Sequence, residues 1–171
     1  RQDSRIHSYV FSKIIKKIKP DIFKKYISSK FIEKSDLLSS LQGDFKPSFF
    51  SDELVSSTLG SIRAMQKIQK SNGESGCHRY IISNNQTAIN ILEVFTMFKI
   101  SGWKKNTFDI IPLFETISDL DIAVNIMDKI YSNDDYRNHL SYRNNEQTIM
   151  LGFSDGTKDG GYLTANWKIL I

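Results

Sequence analysis

Three short apolar runs, each followed by a helical pattern, constrain the fold of this chain more than any other feature. They lie near residues 78–83, 107–114 and 147–153. The first leads into a helical stretch carrying Ile89, Leu92, Phe95, Met97 and Ile100, closed by Gly102. The second leads into one carrying Leu120, Ile122, Ile126, Met127 and Ile130, and the third into one covering residues 162–171. Apolar, β-prone runs alternating with amphipathic helices indicate βαβ units around a parallel sheet buried on both faces. The expected class is therefore helix-rich α/β, with residues 77–171 forming a βαβαβα unit and residues 1–76 a mostly helical segment.

The helical reading of the first third rests on periodicity. Ile6, Val10, Ile14 and Ile18 recur every four residues, widened by Phe11 and Ile15, with lysines opposite. Pro20 ends that pattern or opens the next at Asp21. Ile22, Phe23, Tyr26, Ile27, Phe31 and Ile32 predict one second short helix. Residues 43–50 form a loop, and Ser51 is the expected N-cap of a helix running to about Lys70, with a staple between Phe50 and Val55. Residues 71–76 read as a polar hinge.

Composition excludes several classes. Of 171 residues, 40% are hydrophobic and 25% charged, with a single cysteine, which fits neither a disordered chain nor a disulfide scaffold. Cys77 lacks an internal disulfide partner, so a reducing, cytoplasmic setting is expected. No apolar run approaches the roughly 20 residues that span a bilayer, so no membrane is expected. Residues 1–34 hold ten Lys/Arg against three Asp/Glu, an excess read as a solvated helix face rather than a nucleic-acid surface. Residue 1 is Arg, in a polar string, and residues 167–171 sit within an apolar helical pattern. Both ends read as cut, and an internal piece of a longer protein is expected.

Each apolar run ends in polar groups: Ser83-Asn84-Asn85-Gln86, then Glu115-Thr116, then Ser154-Asp155-Gly156-Thr157-Lys158-Asp159. Ligands of parallel α/β folds bind at the carboxyl ends of the strands, where loops and helix N-termini converge. Glu115 and Asp155 are then expected at one mouth. Two hard carboxylates without clustered His or Cys suit Mg²⁺ or Mn²⁺ rather than Zn²⁺. Each carboxylate taken alone also reads as an N-cap or surface acid. Lys158, after a Gly/Ser/Thr-rich turn and before a helix, is placed to face an anion together with backbone N–H groups. Its plainer role is an ion pair with Asp159. Arg1 is a candidate bidentate phosphate ligand. Trp103 and Trp167 read as packing residues. None of His7, His78 and His139 has a Ser or Cys partner at triad spacing.

These motifs together resemble one family. Ile149-Met150-Leu151-Gly152-Phe153-Ser154-Asp155-Gly156-Thr157-Lys158-Asp159-Gly160-Gly161 resembles the lysine signature of phosphoenolpyruvate carboxylase. Pro112-Leu113-Phe114-Glu115-Thr116 with Asp119-Leu120 resembles its strand-end motif. Tyr80-Ile81-Ile82-Ser83 and Arg1-Gln2-Asp3-Ser4 with His7 resemble two further strands, in matching order and spacing. The resemblance implies part of an eight-stranded (β/α)8 TIM-like barrel from a much longer homotetrameric enzyme. That enzyme joins bicarbonate to phosphoenolpyruvate with Mg²⁺ or Mn²⁺, giving the tricarboxylic acid cycle intermediate oxaloacetate, and phosphate. It implies Glu115 and Asp155 as metal ligands, Lys158 as the active-site lysine associated with bicarbonate, and Arg1 as a ligand of the substrate phosphate.

There are departures from the family pattern. Phe153 replaces the usual Tyr, Gly156 the usual Ser, and Ile6 an Arg found in many members. The Thr-Ala-His-Pro-Thr motif with its catalytic histidine is not in these 171 residues, nor is the Gly-Arg-Gly-Gly loop. The chain alone is therefore expected to lack carboxylase activity. Two rival expectations remain: another Mg²⁺-dependent barrel enzyme acting on a phosphorylated or enolisable acid, and a non-catalytic binding module derived from the enzyme.

Overall fold

The apolar runs do become strands. A computed structural model, which describes residues 2–104 and 106–170, contains β2 (Arg79–Ser83), β3 (Asp109–Phe114) and β4 (Met150–Leu151), preceded by a two-residue β1 (Gln2–Asp3). Among the described residues these four strands pair only in parallel and their spatial order is sequential, β1-β2-β3-β4. Gln2 and Asp3 face Ile82 and Ser83, Ile82 faces Pro112, and Leu113 and Phe114 face Met150 and Leu151. Parallel neighbours need crossovers, and helices supply them.

Among the described residues, eight helices longer than a single turn precede the last one. They are α1 (Ser4–Ile18), α2 (Pro20–Ser28), α3 (Phe31–Ser39), α4 (Glu53–Asn72), α5 (Ala88–Ile100), α6 (Ile117–Tyr131), α7 (Asp134–Ser141) and α8 (Phe153–Gly160), followed by α9 (Tyr162–Leu170). The lysine-flanked stripe of α1 buries Val10, Phe11, Ile14 and Ile15 completely. On α4, Val55, Leu59, Ile62 and Met65 do the same work. α5 is not amphipathic: it is buried nearly all round, packed against α1, α3, α6 and β3. Its one acid, Glu93, is 4% exposed and accepts hydrogen bonds from the Tyr26 hydroxyl at 2.6 Å and from Ser8. Burial raises its pKa, because desolvation penalises the carboxylate.

The local departures from the sequence pattern have physical causes. The single helix predicted across Ile22–Ile32 is two helices, α2 and α3, separated by extended Ser29 and Lys30. The Ser28 and Ser29 hydroxyls bond back to the carbonyls of Lys24 and Lys25, satisfying groups that a continuing helix would have used. The cap of α4 is Asp52 rather than Ser51, its carboxylate accepting from the amides of Leu54 and Val55 at 3.1 and 3.2 Å. The hinge at 71–76 is short and ordered: α4 ends on Gly73 at φ 78°, a conformation glycine adopts without strain, and a 3₁₀ turn follows.

The third strand is shorter than the predicted run at 147–153. At its start the Gln147 side-chain amide donates to the Ile110 carbonyl at 2.8 Å, substituting for a strand backbone. After Gly152 the chain turns helical, so residues 153–160 are α8 and not the loop that their glycines signal. α7 is polar in composition, yet it buries Tyr136, His139 and Leu140, the two rings joining an aromatic cluster with Phe95 and Phe108. Trp103 packs there against Phe98 and Phe108, as expected. Trp167 does not pack: it is 65% exposed on α9, near exposed Leu163 and Leu170. No helix among the described residues is long and apolar enough to cross a membrane.

Candidate active site at the carboxyl ends of the strands

The two ends of the sheet differ in chemistry. At the amino end of β3, Asp109 pairs with Arg143 at 2.8 Å, and Arg143 also reaches Glu74, forming a charged brace. At the carboxyl ends, side chains instead knit one strand terminus to the next. Asp3 caps α1 through the Arg5 amide at 2.8 Å, and the Arg5 side chain returns to it with Nε at 3.0 Å and Nη2 at 2.6 Å. That guanidinium holds the Asp3 carboxyl down at about 2. The Ser4 hydroxyl donates to the Asn84 carbonyl, where Asn84 takes φ 57° just past β2. Asn85 is fully buried, and its amide nitrogen spans β2 and β3 by donating to the carbonyls of Ile82 at 2.7 Å and Leu113 at 3.1 Å.

The end of β3 is held by Asp119, a buried acid in the first turn of α6. Its Oδ2 accepts from the backbone N–H groups of Glu115 and Thr116, both at 3.1 Å, and its Oδ1 accepts from Gln86 Nε2 at 2.7 Å. Thr116 Oγ1 accepts in return from the Asp119 amide, completing a capping box.

β4 and α8 close onto this point. The Gly152 amide donates to the Phe114 carbonyl at 2.8 Å. A Cβ on Gly152 would lie 2.8 Å from Glu115 Cγ and 2.9 Å from its Cα, and one on Gly156 would lie 3.2 Å from the Glu115 carbonyl oxygen. Only hydrogen fits at the first position, so the glycines that read as a turn are a close-approach surface. Asp155 lies in the first turn of α8 and Lys158 in its last, both exposed, while Glu115 is half-buried.

Three of the four expected site residues thus lie on adjacent strand ends: Glu115 after β3, and Asp155 and Lys158 after β4. Arg1 lies outside the described residues. The expected anion cradle before a helix at Lys158 is not formed, because Lys158 is itself helical and neighbouring amides serve the helix, Gly156 N–H bonding Gly152 and Gly161 N–H bonding Thr157. Nor does Asp159 pair with Lys158: its Oδ2 accepts from the Ile117 amide at 2.9 Å. Among the described residues no three His, Cys, Asp or Glu side chains converge as a metal-ion cage.

His7 is fully buried beside this rim. Its Nε2 lies 2.9 Å from Gln2 Oε1 and 3.0 Å from the Tyr80 hydroxyl, and its Nδ1 has no hydrogen-bond partner. Burial lowers its pKa to about 4, so the ring is neutral at pH 7. In the sequence, Asp119 and Gln86 stand out only as parts of longer motifs. The signal for them was available in Thr116-x-x-Asp119, a cap spacing directly after a strand.

A sequential parallel sheet with its polar network at the carboxyl ends defines an α/β protein of the class that builds active sites on strand termini. The family model for phosphoenolpyruvate carboxylase matches residues 1–170. The phosphoenolpyruvate carboxylase of Nitrosomonas europaea is 36% identical over 179 residues, covering 99% of this chain and 19% of that protein. That of Nitrosomonas eutropha is 35% identical over 99% of this chain and 19% of its own length, and that of Corynebacterium glutamicum 38% over 68% and 14%. The chain belongs to the phosphoenolpyruvate carboxylase family, and it spans about a fifth of the length of these relatives.

Proposed function

We propose that this chain supplies part of the active site of a phosphoenolpyruvate carboxylase, an enzyme that carboxylates phosphoenolpyruvate with bicarbonate to give oxaloacetate and phosphate. The observation that carries the reading is the seating of Gly152 on Glu115, which sets the helix bearing Asp155 and Lys158 directly on the strand end bearing Glu115. The four sequential parallel strands are taken as an arc of a (β/α)8 barrel, completed by the rest of a homotetrameric, cytoplasmic parent protein.

Glu115 and Asp155 are assigned to a divalent cation, Mg²⁺ or Mn²⁺. Their donor set fits: both are hard oxygen ligands, and Mg²⁺ commonly takes one or two carboxylates while keeping waters and substrate oxygens in its remaining positions. The chemistry it supplies there is Lewis-acid stabilisation of the enolate oxygen. Lys158, on the solvent side of α8, is assigned to bicarbonate, where an ammonium offsets anionic charge and orients the attacking oxygen toward phosphorus. That attack breaks the bond between phosphorus and the enol oxygen, leaving carboxyphosphate and the pyruvate enolate. Carboxyphosphate releases CO₂ and phosphate, and the enolate carbon captures the CO₂. Arg1 is assigned to the substrate phosphate on the motif alone.

The test uses the full-length protein that carries this segment, assayed for oxaloacetate with phosphoenolpyruvate and Mg²⁺. Activity strictly dependent on bicarbonate, and reduced at least a hundredfold in both Glu115→Gln and Asp155→Asn (about 3 kcal/mol in the barrier), supports the assignment. Turnover of phosphoenolpyruvate without bicarbonate would move the protein to a different reaction of phosphorylated acids. The 171-residue chain, which lacks the histidine motif, is expected to be inactive by itself.

A further inference from the structure

The segment that follows β4 is fastened to the segment that follows β3 by contacts that the carboxylation chemistry does not itself require. Asp159 Oδ2 accepts from the backbone N–H of Ile117 at 2.9 Å. Ile117 is the first residue of α6, and first-turn amides have no partner within their own helix. A carboxylate placed there also meets the positive end of the helix dipole. The next residue, Gly160, lies so close that a Cβ would come within 2.4 Å of Ile117 Cγ1 and 2.8 Å of its Cδ1. Asp159 makes no ion pair with its neighbour Lys158 among the described residues.

α8 is therefore fixed at both ends. Its start is seated on Glu115 by Gly152, and its end on Ile117 by Asp159 and Gly160. Between those two points lie Asp155 and Lys158. Glu115 and Ile117 are two residues apart on one strand-to-helix turn, which Asp119 also holds, through the Glu115 and Thr116 amides.

We propose that Asp159 is a positioning residue: its carboxylate on the Ile117 amide locks α8 onto the first turn of α6 and so holds Asp155 at the distance from Glu115 that lets one cation engage both. This rests on the assignment of Glu115 and Asp155 to a metal. Groups hydrogen-bonded directly to metal ligands typically govern metal affinity by about 10–100-fold; Asp159 acts one step further out, through the backbone at Ile117, so an effect at the lower end is expected. Asp159 is exposed, so its replacement removes the fastening without opening a core.

The experiment measures Mn²⁺ affinity by electron paramagnetic resonance on the substrate-free, full-length protein, with amide exchange at Ile117 and the dependence of kcat on metal as second readouts. Asp159→Ala is expected to weaken Mn²⁺ about tenfold or more and to speed exchange at Ile117. Gly160→Ala, which pushes the same two surfaces apart, should do likewise. Asp159→Asn, whose carbonyl oxygen still accepts the amide, should restore most of the affinity. A purely structural cap would change exchange and thermal midpoint while leaving Mn²⁺ binding as in the wild type, and that result overturns the proposal. Glu115→Gln separates the two layers. If it fails to weaken Mn²⁺, the metal assignment falls and the positioning role with it; if it weakens Mn²⁺ while Asp159→Ala does not, only the positioning role falls.

Discussion

The Gln86 side-chain amide donates to the Asp119 carboxylate at 2.7 Å, joining the carboxyl end of β2 to the first turn of α6. With its other oxygen Asp119 holds the amides of Glu115 and Thr116, so one buried acid fixes the geometry of two neighbouring strand ends.

Replacing Asp119 by Ala strands three donors at once, the Gln86 amide and two backbone N–H groups. The expected loss is about 1–3 kcal/mol, read as a lower urea midpoint for the chain. Asp119→Asn should be intermediate, since its oxygen can serve the backbone donors while its NH₂ faces the Gln86 NH₂. An unchanged midpoint in Asp119→Ala would show that water replaces the carboxylate without cost.

Acid should act through the buried histidines. His7 and His139 both have pKa values lowered to about 4, mainly by desolvation, against 6.5 for an unfolded histidine. Between those values the unfolded chain binds protons that the folded chain refuses, so their contribution makes stability rise with pH up to about 6.5 and level off above. For one histidine the full span is on the order of 3 kcal/mol. Unfolding curves of wild type and His7→Asn at several pH values test this. Their difference should change between pH 4 and 6.5 and be flat from 7 to 8.

Glu93 should act in the opposite sense. Its raised pKa means that the folded state favours the neutral acid, so its contribution is complete below about 4.5 and is lost as pH rises through the folded pKa. Glu93→Gln removes that titration while keeping an acceptor for Tyr26 and Ser8. The variant should gain on the wild type with increasing pH, and parallel pH profiles would contradict the buried-acid assignment.

Two glycines give opposite expectations for the same substitution. Gly152→Ala forces a methyl into the Glu115 backbone and should cost about 1–3 kcal/mol. Gly60→Ala, inside α4 with nothing within 4 Å of the added carbon, should stabilise by about 0.5–1 kcal/mol. Thermal midpoints of the two variants should move apart, and a shift in the same direction would show that close approach does not govern Gly152.

Strand starts near 78 and 107 were legible because β2 carries the β-prone run Tyr80-Ile81-Ile82 and β3 is apolar and buried along almost its whole length, although β2 itself is only half-buried at Tyr80 and Ile81 and exposed at Arg79. α1 and α4 were legible because each keeps one apolar stripe. α5 gave the same helical signal although it is buried all round, since periodicity at Ile89, Leu92 and Phe95 does not report what covers the opposite side. α8 was hidden: four glycines between 152 and 161 lower helix propensity, and the reason for them, the proximity of Glu115 and Ile117, lies about 40 residues away in sequence. Glu115, Asp155 and Lys158 could be offered as candidate site residues from their motifs, whereas the hydrogen bond from Ile117 to Asp159 could not be read from the sequence. Its alternative, a pair with Lys158, is what the dipeptide by itself proposes.

The parallel pairing of Gln2 and Asp3 with Ile82 and Ser83 sets a timetable for synthesis. β1 is made about 80 residues before its partner, which at roughly 5–20 residues per second leaves it waiting about 4–16 s on the ribosome. Its pairing with β2 waits through that interval, while α1 to α4 are synthesised. β1 can pair with β2 only after α1 to α4 have been made, so its β2-facing edge is a surface that a chaperone acting on the nascent chain would find open.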